Sequence, residues 1–139
     1  MPDRTNIARI IDANSNRAKE GIRVLEEVAR FILDDPSRSE KLKGLRHALV
    51  ESVTGFGLTR KELLDARDSE GDVGRTIQGQ LESDRKNIDD IIASNFSRVT
   101  EALRAIEEFG KMIDPKSAEK IKDLRYEVYT LEKNFISPE

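Results

Sequence analysis

The sequence contains no cysteine and a single histidine, His47, which excludes disulfide bonds, thiolate metal sites and multi-histidine zinc sites. Its apolar runs are only a few residues long, whereas a membrane-spanning helix needs about 20 apolar residues. The N-terminal residues lack the apolar core of a signal peptide. Together these absences predict a cytoplasmic protein that does not span a membrane.

The sequence also lacks the common nucleotide-binding motifs and any excess of positive charge. It has neither a Walker P-loop nor a dinucleotide-binding glycine motif. Its net charge is −3 with the two signs interspersed, which argues against general nucleic-acid binding, since that needs a basic surface. Charged residues make up 37% of the 139 residues, a composition typical of a soluble, helix-rich protein. We predict a single domain over residues 1–139.

One helical segment occurs twice in the chain. Residues 10–32 align without gaps with residues 91–113, and the alignment resumes after a two-residue gap, where 40–46 matches 119–125. The repeated unit is therefore a helical hairpin. The polar positions repeat while the apolar ones drift: Asn14, Arg17, Glu20, Arg23, Glu26 and Glu27 recur as Asn95, Arg98, Glu101, Arg104, Glu107 and Glu108.

Capping residues and prolines predict five helices. The pairs Ser37–Glu40 and Thr59–Glu62 have the spacing of capping boxes, and Pro115 suits the first position of a helix. The expected helices run from Asp3 or Thr5 to about Leu33, from Ser37 to about Val53, from Thr59 to about Ala66, from Ser83 to about Ile113, and from Pro115 to about Phe135.

A helical hairpin cannot bury its apolar face alone, so the two hairpins should pack together. We predict an all-α fold, an antiparallel helical bundle of two hairpins related by a pseudo-two-fold axis. The first hairpin covers about 3–54, the crossover about 55–82 and the second hairpin about 83–136. The crossover contains the short helix and an irregular, glycine-containing loop at 67–79, and a loop of this length is usually functional or disordered.

The repeated asparagines and arginines are candidate ligand-binding residues. Helical geometry places Asn14 and Arg17 where the buried face turns polar, and the same holds for Asn95 and Arg98. An arginine at the edge of a core needs a partner, and either a carboxylate or a ligand phosphate suits its guanidinium group. Periodicity alone slightly favours structural ion pairs over a ligand site.

The adjacent glutamates of each repeat are expected to differ in role. One of each pair should face solvent, and the other should pair with the preceding arginine or with a neighbouring helix. The two sets are Glu26 and Glu27 after Arg23, and Glu107 and Glu108 after Arg104.

The central loop is a candidate metal site. Asp68 and Asp72 lie close to Gly71 and Gly74, and two aspartates in such a loop can hold Mg²⁺ through oxygen ligands. The alternative is that this acidic loop is a solvated turn.

Four strings of the sequence resemble one known family. They are NSNRAKEGIRVLEEVARF at 14–31, ARDSEGDVG at 66–74, NFSRVTEALRAIEEFGK at 95–111 and LRYEVYTLE at 124–132. In order and in coverage they resemble the all-helical hydroxymethylpyrimidine phosphate kinase domain that is often fused N-terminally to thiamin-phosphate synthase. The chain departs from the family pattern at Arg75, where the family has threonine after the second glycine of the loop.

The resemblance implies that the chain uses ATP to convert 4-amino-5-hydroxymethyl-2-methylpyrimidine phosphate into the diphosphate, in thiamin biosynthesis. Phosphoryl transfer needs charge neutralisation and positioning, which suits the repeated charged residues. Mg²⁺ is the expected cofactor, held by Asp68 and Asp72. The expected catalytic residues are Arg17, Glu20, Arg98, Glu101 and Arg67, and the expected substrate-binding residues are Asn14, Asn95, Arg125 and Tyr129.

Two other functions stay open at this point. One is a non-catalytic helical module that docks to or regulates a separate thiamin-phosphate synthase, and the other is a structural helical bundle that forms a homodimer. The loop favours the enzyme, because a docking module has no need of Arg67, Asp68 and Asp72 beside two glycines. The expected partners are small-molecule substrates and thiamin-phosphate synthase, not nucleic acid or membrane.

Overall fold

Helices account for all of the regular secondary structure in residues 3–76 and 84–136, the parts of the chain that the computed structural model describes. This confirms the all-α prediction. None of the helices in these ranges is long and apolar enough to cross a membrane. The elements are α1 (Arg4–Glu27), a π-helical turn (Val28–Ile32), α2 (Pro36–Thr54), α3 (Arg60–Ala66), α4 (Ile88–Gly110) and α5 (Pro115–Ile136).

Three of the predicted helix starts are confirmed. Asp3 caps α1, because its side chain accepts a hydrogen bond from the backbone N–H of Asn6. Thr59 caps α3 in the same way, with the N–H of Glu62 as donor. Pro115 is the first residue of α5, where its missing N–H costs no hydrogen bond.

Two predicted helix starts are wrong. The α2 helix is capped by Asp35, not by Ser37, because Pro36 occupies the first helical position and the Asp35 carboxylate accepts from the N–H of Arg38. The α4 helix begins at Ile88, where the side chain of Asn87 caps it. The predicted start of that helix, Ser83, lies outside the described residues.

The four long helices form a square bundle. The α1 helix packs against α2 and, most extensively, against α4, and α5 completes the square by packing against α4 and α2. At one end, Ser117 Oγ donates to the carbonyl oxygen of Gly55 at 3.0 Å, so α5 starts where α2 ends. At the other end, Arg38 Nη2 donates to the carbonyl oxygen of Asn134 at 3.1 Å, so α2 starts where α5 ends.

The α1 and α4 helices are also antiparallel. Arg4 Nη2 donates to the carbonyl oxygen of Gly57 at 3.5 Å, which places the start of α1 at the end of the bundle where α2 ends. Gly110, the last residue of α4, packs against the ring of Phe56 at this same end. Neighbouring helices therefore run in opposite directions around the square, as predicted for two hairpins related by a pseudo-two-fold axis.

The π-helical turn accounts for one residue of the two-residue gap in the repeat. The segment between Glu27 and Asp35 is two residues longer than the equivalent segment between Glu108 and Asp114. A π-helical turn holds an additional residue without ending the helix. Asp34 then adopts a φ of 49°, a left-handed conformation that aspartate tolerates better than most residues, and this reverses the chain before α2.

Gly21 lets α1 and α4 approach closely, whereas Gly44 faces open space. We therefore expect alanine substitutions at these two positions to change the stability in opposite directions. A Cβ on Gly21 would lie 2.8 Å from Cγ2 of the buried Val99 and 3.3 Å from the carbonyl oxygen of Asn95, whereas a Cβ on Gly44 in α2 would meet nothing within 4 Å. We expect Gly21→Ala to lower the free energy of unfolding by about 1–3 kcal/mol. Gly44→Ala should raise it by about 0.5–1 kcal/mol, because alanine favours the helix.

Urea denaturation of both variants measures these two free energies. A Gly21→Ala variant as stable as the wild type would mean that the α1–α4 contact has room for a methyl group.

Candidate functional site

The repeated polar residues fall into two groups, of which the first forms ion pairs. Glu26 is buried and accepts from Arg46 of α2, with 2.6 Å between Oε2 and Nε, and this hydrogen bond raises the pKa of Arg46. The equivalent Glu107 is buried and accepts from Arg125 of α5, with 3.0 Å between Oε1 and Nε. As predicted, one glutamate of each set pairs with a neighbouring helix and the other is exposed. The exposed glutamates also pair with the arginine one turn earlier, Glu27 with Arg23 and Glu108 with Arg104.

The second group is exposed and unpaired. Arg17, Glu20, Arg98 and Glu101 all point to solvent. None of the four forms an ion pair with any residue in the described parts of the chain, although each arginine stands three residues before a glutamate. Structural pairing therefore does not account for these repeated residues.

The fold brings the four unpaired residues to one level of the bundle. Gly21 of α1 packs against Asn95 and Val99 of α4, and the two helices are antiparallel. Residues 17–20 of α1 consequently lie at the level of residues 98–101 of α4, on either side of the pseudo-two-fold axis. We name the exposed surface formed by Arg17, Glu20, Arg98 and Glu101 the α1–α4 charged face.

Each of the repeated asparagines donates a hydrogen bond to the backbone of its own helix. Asn14 Nδ2 donates to the carbonyl oxygen of Ile10 at 2.9 Å, and Asn95 Nδ2 donates to that of Ile91 at 2.8 Å. Arg17 Nη1 donates to Asn14 Oδ1 at 3.3 Å. In the first repeat the asparagine thus holds the arginine at the edge of the charged face.

The expectation that the arginines continue a buried face is wrong. Arg17 and Arg98 are exposed, whereas Gly21, one turn after Arg17, is buried. Gly21 is covered because it has no side chain and lets α4 approach. Val24, one turn after Gly21 on the same side of α1, has a longer side chain that reaches solvent beyond the contact between α1 and α4.

Arg67 lies apart from the charged face, in a pair with an aspartate that sequence reasoning did not single out. Its Nε and Nη2 donate to the two carboxylate oxygens of Asp12 at 2.8 and 2.9 Å, and this raises the pKa of Arg67. Asp12 is only 6% exposed. The signal in the sequence was an acidic residue directly after Ile11, inside the apolar first turns of α1.

The two loop aspartates form local turns. Asp68 Oδ1 accepts from the N–H of Gly71 and Asp72 Oδ1 accepts from the N–H of Gly74, both at 2.8 Å. The second carboxylate oxygen of each has no partner within the described ranges. No cluster of three or more acidic, histidine or cysteine ligands occurs in those ranges. The donors fit Mg²⁺ that arrives with a nucleotide, since Mg²⁺ usually binds one or two carboxylates together with substrate phosphates.

Arg125 and Tyr129 lie together on α5, away from the loop that follows α3. Arg125 Nη1 donates to the hydroxyl oxygen of Tyr129 at 3.2 Å. Burial would lower the pKa of Arg125, but its hydrogen bonds with Tyr129 and Glu107 outweigh this and raise the pKa. The ring of Tyr129 is exposed, so substrate binding by this pair stays a prediction.

A cleft between α1, α2 and α3 is one of several concave features that sequence reasoning missed. Its volume is 250 Å³. The pair Asp12–Arg67 lies in its wall, and α3 forms one side of it. The other lining residues are Ser15, Asn16, Lys19, Val50, Val53, Thr54, Leu58, Arg60, Leu63 and Leu64.

Comparison with known proteins finds one family and a group of relatives. The ThiD2 family matches residues 9–134. Thiamine-phosphate synthase of Rhodopirellula baltica is 44% identical over 123 residues, which are 88% of this chain and 32% of that protein. Thiamine-phosphate synthase of Nostoc punctiforme is 41% identical over 130 residues, 94% of this chain and 35% of that protein. The same enzyme of Thermosynechococcus vestitus is 43% identical over 126 residues, 91% and 34% of the two chains.

The chain spans about a third of the length of these curated relatives. No solved structure matches it.

Proposed function

Because the chain belongs to the ThiD2 family, we propose that it is a kinase that phosphorylates 4-amino-5-hydroxymethyl-2-methylpyrimidine phosphate with ATP. The names of its relatives support a role in thiamine biosynthesis. In this reaction an oxygen of the pyrimidine's phosphate attacks the γ-phosphorus of ATP. The bond from that phosphorus to the β–γ bridging oxygen breaks, and ADP leaves with the bridging oxygen.

The observation that carries this proposal is the unpaired state of the α1–α4 charged face. Transfer between a phosphate and ATP gathers several negative phosphate groups, so catalysis depends on cations that are free to bind them. Arg17 and Arg98 are exposed, lie at one level of the bundle, and have no carboxylate partner in the described residues. An arginine without a carboxylate partner can bind a phosphate without first breaking an ion pair.

The remaining predicted residues take supporting roles in this proposal. Glu20 and Glu101 orient the arginines or accept a proton from the attacking phosphate. Asn14 positions Arg17, as the hydrogen bond between them supports. Asn95 is its counterpart in the second repeat.

The crossover supplies the ligands of the metal ion in this proposal. Asp68 and Asp72 would hold Mg²⁺ through their free carboxylate oxygens, directly or through water, when it arrives with ATP. Arg67 binds phosphate with the N–H groups that it does not donate to Asp12. A non-catalytic docking module is not favoured, because docking gives no reason for four charged side chains to stay unpaired beside the axis.

A coupled assay of ADP release tests the proposed function. With Mg-ATP and the pyrimidine phosphate, the purified chain should release ADP in amounts that match the pyrimidine diphosphate formed. Thermal shifts supply an independent readout, because a ligand that binds only the native state raises its melting temperature. The absence of ADP release, together with no thermal shift from either substrate at millimolar concentration, would contradict the kinase proposal.

A further inference from the structure

The cleft between α1, α2 and α3 has the chemistry of a site for a small phosphorylated aromatic ligand. Part of its lining is apolar, which suits the faces of a planar ring. The apolar lining comes from α2 and from the segment that includes α3: Val50, Val53, Leu58, Leu63 and Leu64.

Two cations on the cleft have no partner. Lys19 of α1 and Arg60 of α3 both line it, and neither forms an ion pair or hydrogen bond with any residue that the structure describes. The one carboxylate in the lining, Asp12, already accepts from Nε and Nη2 of Arg67. The free charge of the cleft is therefore positive, which favours an anionic ligand.

A serine hydroxyl that opens onto the cleft makes no hydrogen bond to the described residues. Ser15 is only 6% exposed, lines the cleft, and its side chain makes no hydrogen bond within the described ranges. Beside it, Asn16 Nδ2 makes a long contact of 3.4 Å with Asp12 Oδ1. No buried side-chain nitrogen or oxygen of the described residues lacks a partner, so this hydroxyl is reached from the cleft and is available to the polar edge of a ligand.

The size of the cleft favours the smaller of the two substrates. Pockets for drug-sized ligands hold about 300–1,000 Å³, and this cleft, at 250 Å³, is smaller. We propose that the cleft binds the pyrimidine phosphate, with the ring between α2 and α3 and the phosphate beside Lys19. This inference rests on the proposed function. Lys19 follows Arg17 by two residues, which is about 200° around α1, so the cleft and the α1–α4 charged face lie at one level on different sides of that helix.

The residues that line the cleft on α1 have different counterparts on α4. Position 96 in α4 is equivalent to Ser15, and there Phe96 is fully buried and packs edge-to-face with Phe135. Position 100 is equivalent to Lys19 and carries threonine, Thr100. Within the described residues, the second half therefore has an aromatic core at the position that the first half leaves open.

Two cleft variants and one matched control test this proposal. Val50→Tyr places in α2 the aromatic residue that α5 carries at the equivalent position, Tyr129, so the fold tolerates it while the ring obstructs the cleft. Lys19→Ala removes the free cation. Lys122→Ala removes an exposed lysine of α5 outside the cleft and serves as the control.

The readouts are steady-state kinetics in both substrates and calorimetric titration with the pyrimidine phosphate alone. We expect Val50→Tyr and Lys19→Ala each to raise the KM for the pyrimidine phosphate, and its Kd, by about 10–100-fold. The KM for ATP should change by less than about twofold. Lys122→Ala should leave all of these constants unchanged.

The outcomes separate the cleft from the proposed function. If both cleft variants released ADP as the wild type does, with unchanged KM and Kd for the pyrimidine phosphate, the cleft would not be its binding site, and the kinase proposal would be unaffected. Absence of ADP release, with pyrimidine phosphate binding that Val50→Tyr abolishes, would overturn the kinase and support the cleft. Titration with AMP is the last arm. Binding of AMP that Val50→Tyr weakens, without binding of the pyrimidine phosphate, would overturn the assignment to the pyrimidine.

Discussion

Arg17→Ala and Arg98→Ala are each expected to lower kcat/KM for phosphoryl transfer by about 10²–10³-fold, the effect of removing one charged donor from a developing anion. Both arginines are exposed and make no ion pair in the described chain, so the stability of each variant should stay within about 0.5 kcal/mol of the wild type. Arg30→Ala is the matched control, because Arg30 is an exposed arginine in the same first hairpin, on the π-helical turn. Circular dichroism establishes folding, and the ADP assay measures activity. Full activity in both folded variants would contradict the proposal that Arg17 and Arg98 bind phosphate.

The same two variants distinguish one site from two. If each repeat formed its own site, each single substitution would leave the other site intact, and kcat would fall only about twofold. If the arginines act together across the pseudo-two-fold axis, each single substitution should remove most of the activity, and the double variant should lose little more. We expect the second result, because both arginines lie at one level on helices in direct contact.

Glu107→Ala is expected to lower the free energy of unfolding by about 3–5 kcal/mol, because it leaves a buried charge without its counter-ion. The Arg125 side chain is only 12% exposed, so solvent cannot replace the lost carboxylate. Such a loss corresponds to a fall of roughly 10 °C in melting temperature for a chain of this size. Glu108→Ala, at the exposed neighbouring position, should cost less than about 1 kcal/mol.

Chemical denaturation of three single variants and one double variant tests this ranking. Glu26→Ala should have an intermediate effect, since its partner Arg46 is 24% exposed. Replacing both Glu107 and Arg125 by leucine should recover much of the loss, because no charge then stays buried. Equal effects of Glu107→Ala and Glu108→Ala would show that burial of the pair does not govern its contribution.

The sequence predicted the fold well where local signals and the repeat agreed. Asp3, Thr59 and Pro115 mark helix starts through hydrogen bonds that depend on a few neighbouring residues. The π-helical turn was not predicted, because a two-residue difference between repeats can equally lengthen a loop. Ser37 failed as a cap because Asp35 and Pro36 offered a better combination just before it.

The candidate site was predictable only where it repeats. Arg17 and Arg98 stood out because a polar position recurs, but their exposure depended on how closely Gly21 lets α4 approach. The cleft is built from residues that differ between the repeats, such as Ser15 and Lys19, and a search for recurrence passes over them. Its third wall, α3, meets α1 through contacts between residues more than fifty positions apart, which no local pattern reveals.

The attachment of α3 gives the cleft a way to open. Only Ala66 of this helix is buried, and Arg4 holds it from α1 through a largely exposed bond to Glu62. Segments with few buried contacts open locally at a lower free energy than the core of the same protein. We therefore expect the amide hydrogens of α3 to exchange faster than those of the four long helices, and added salt, by screening the Arg4–Glu62 pair, to increase that difference.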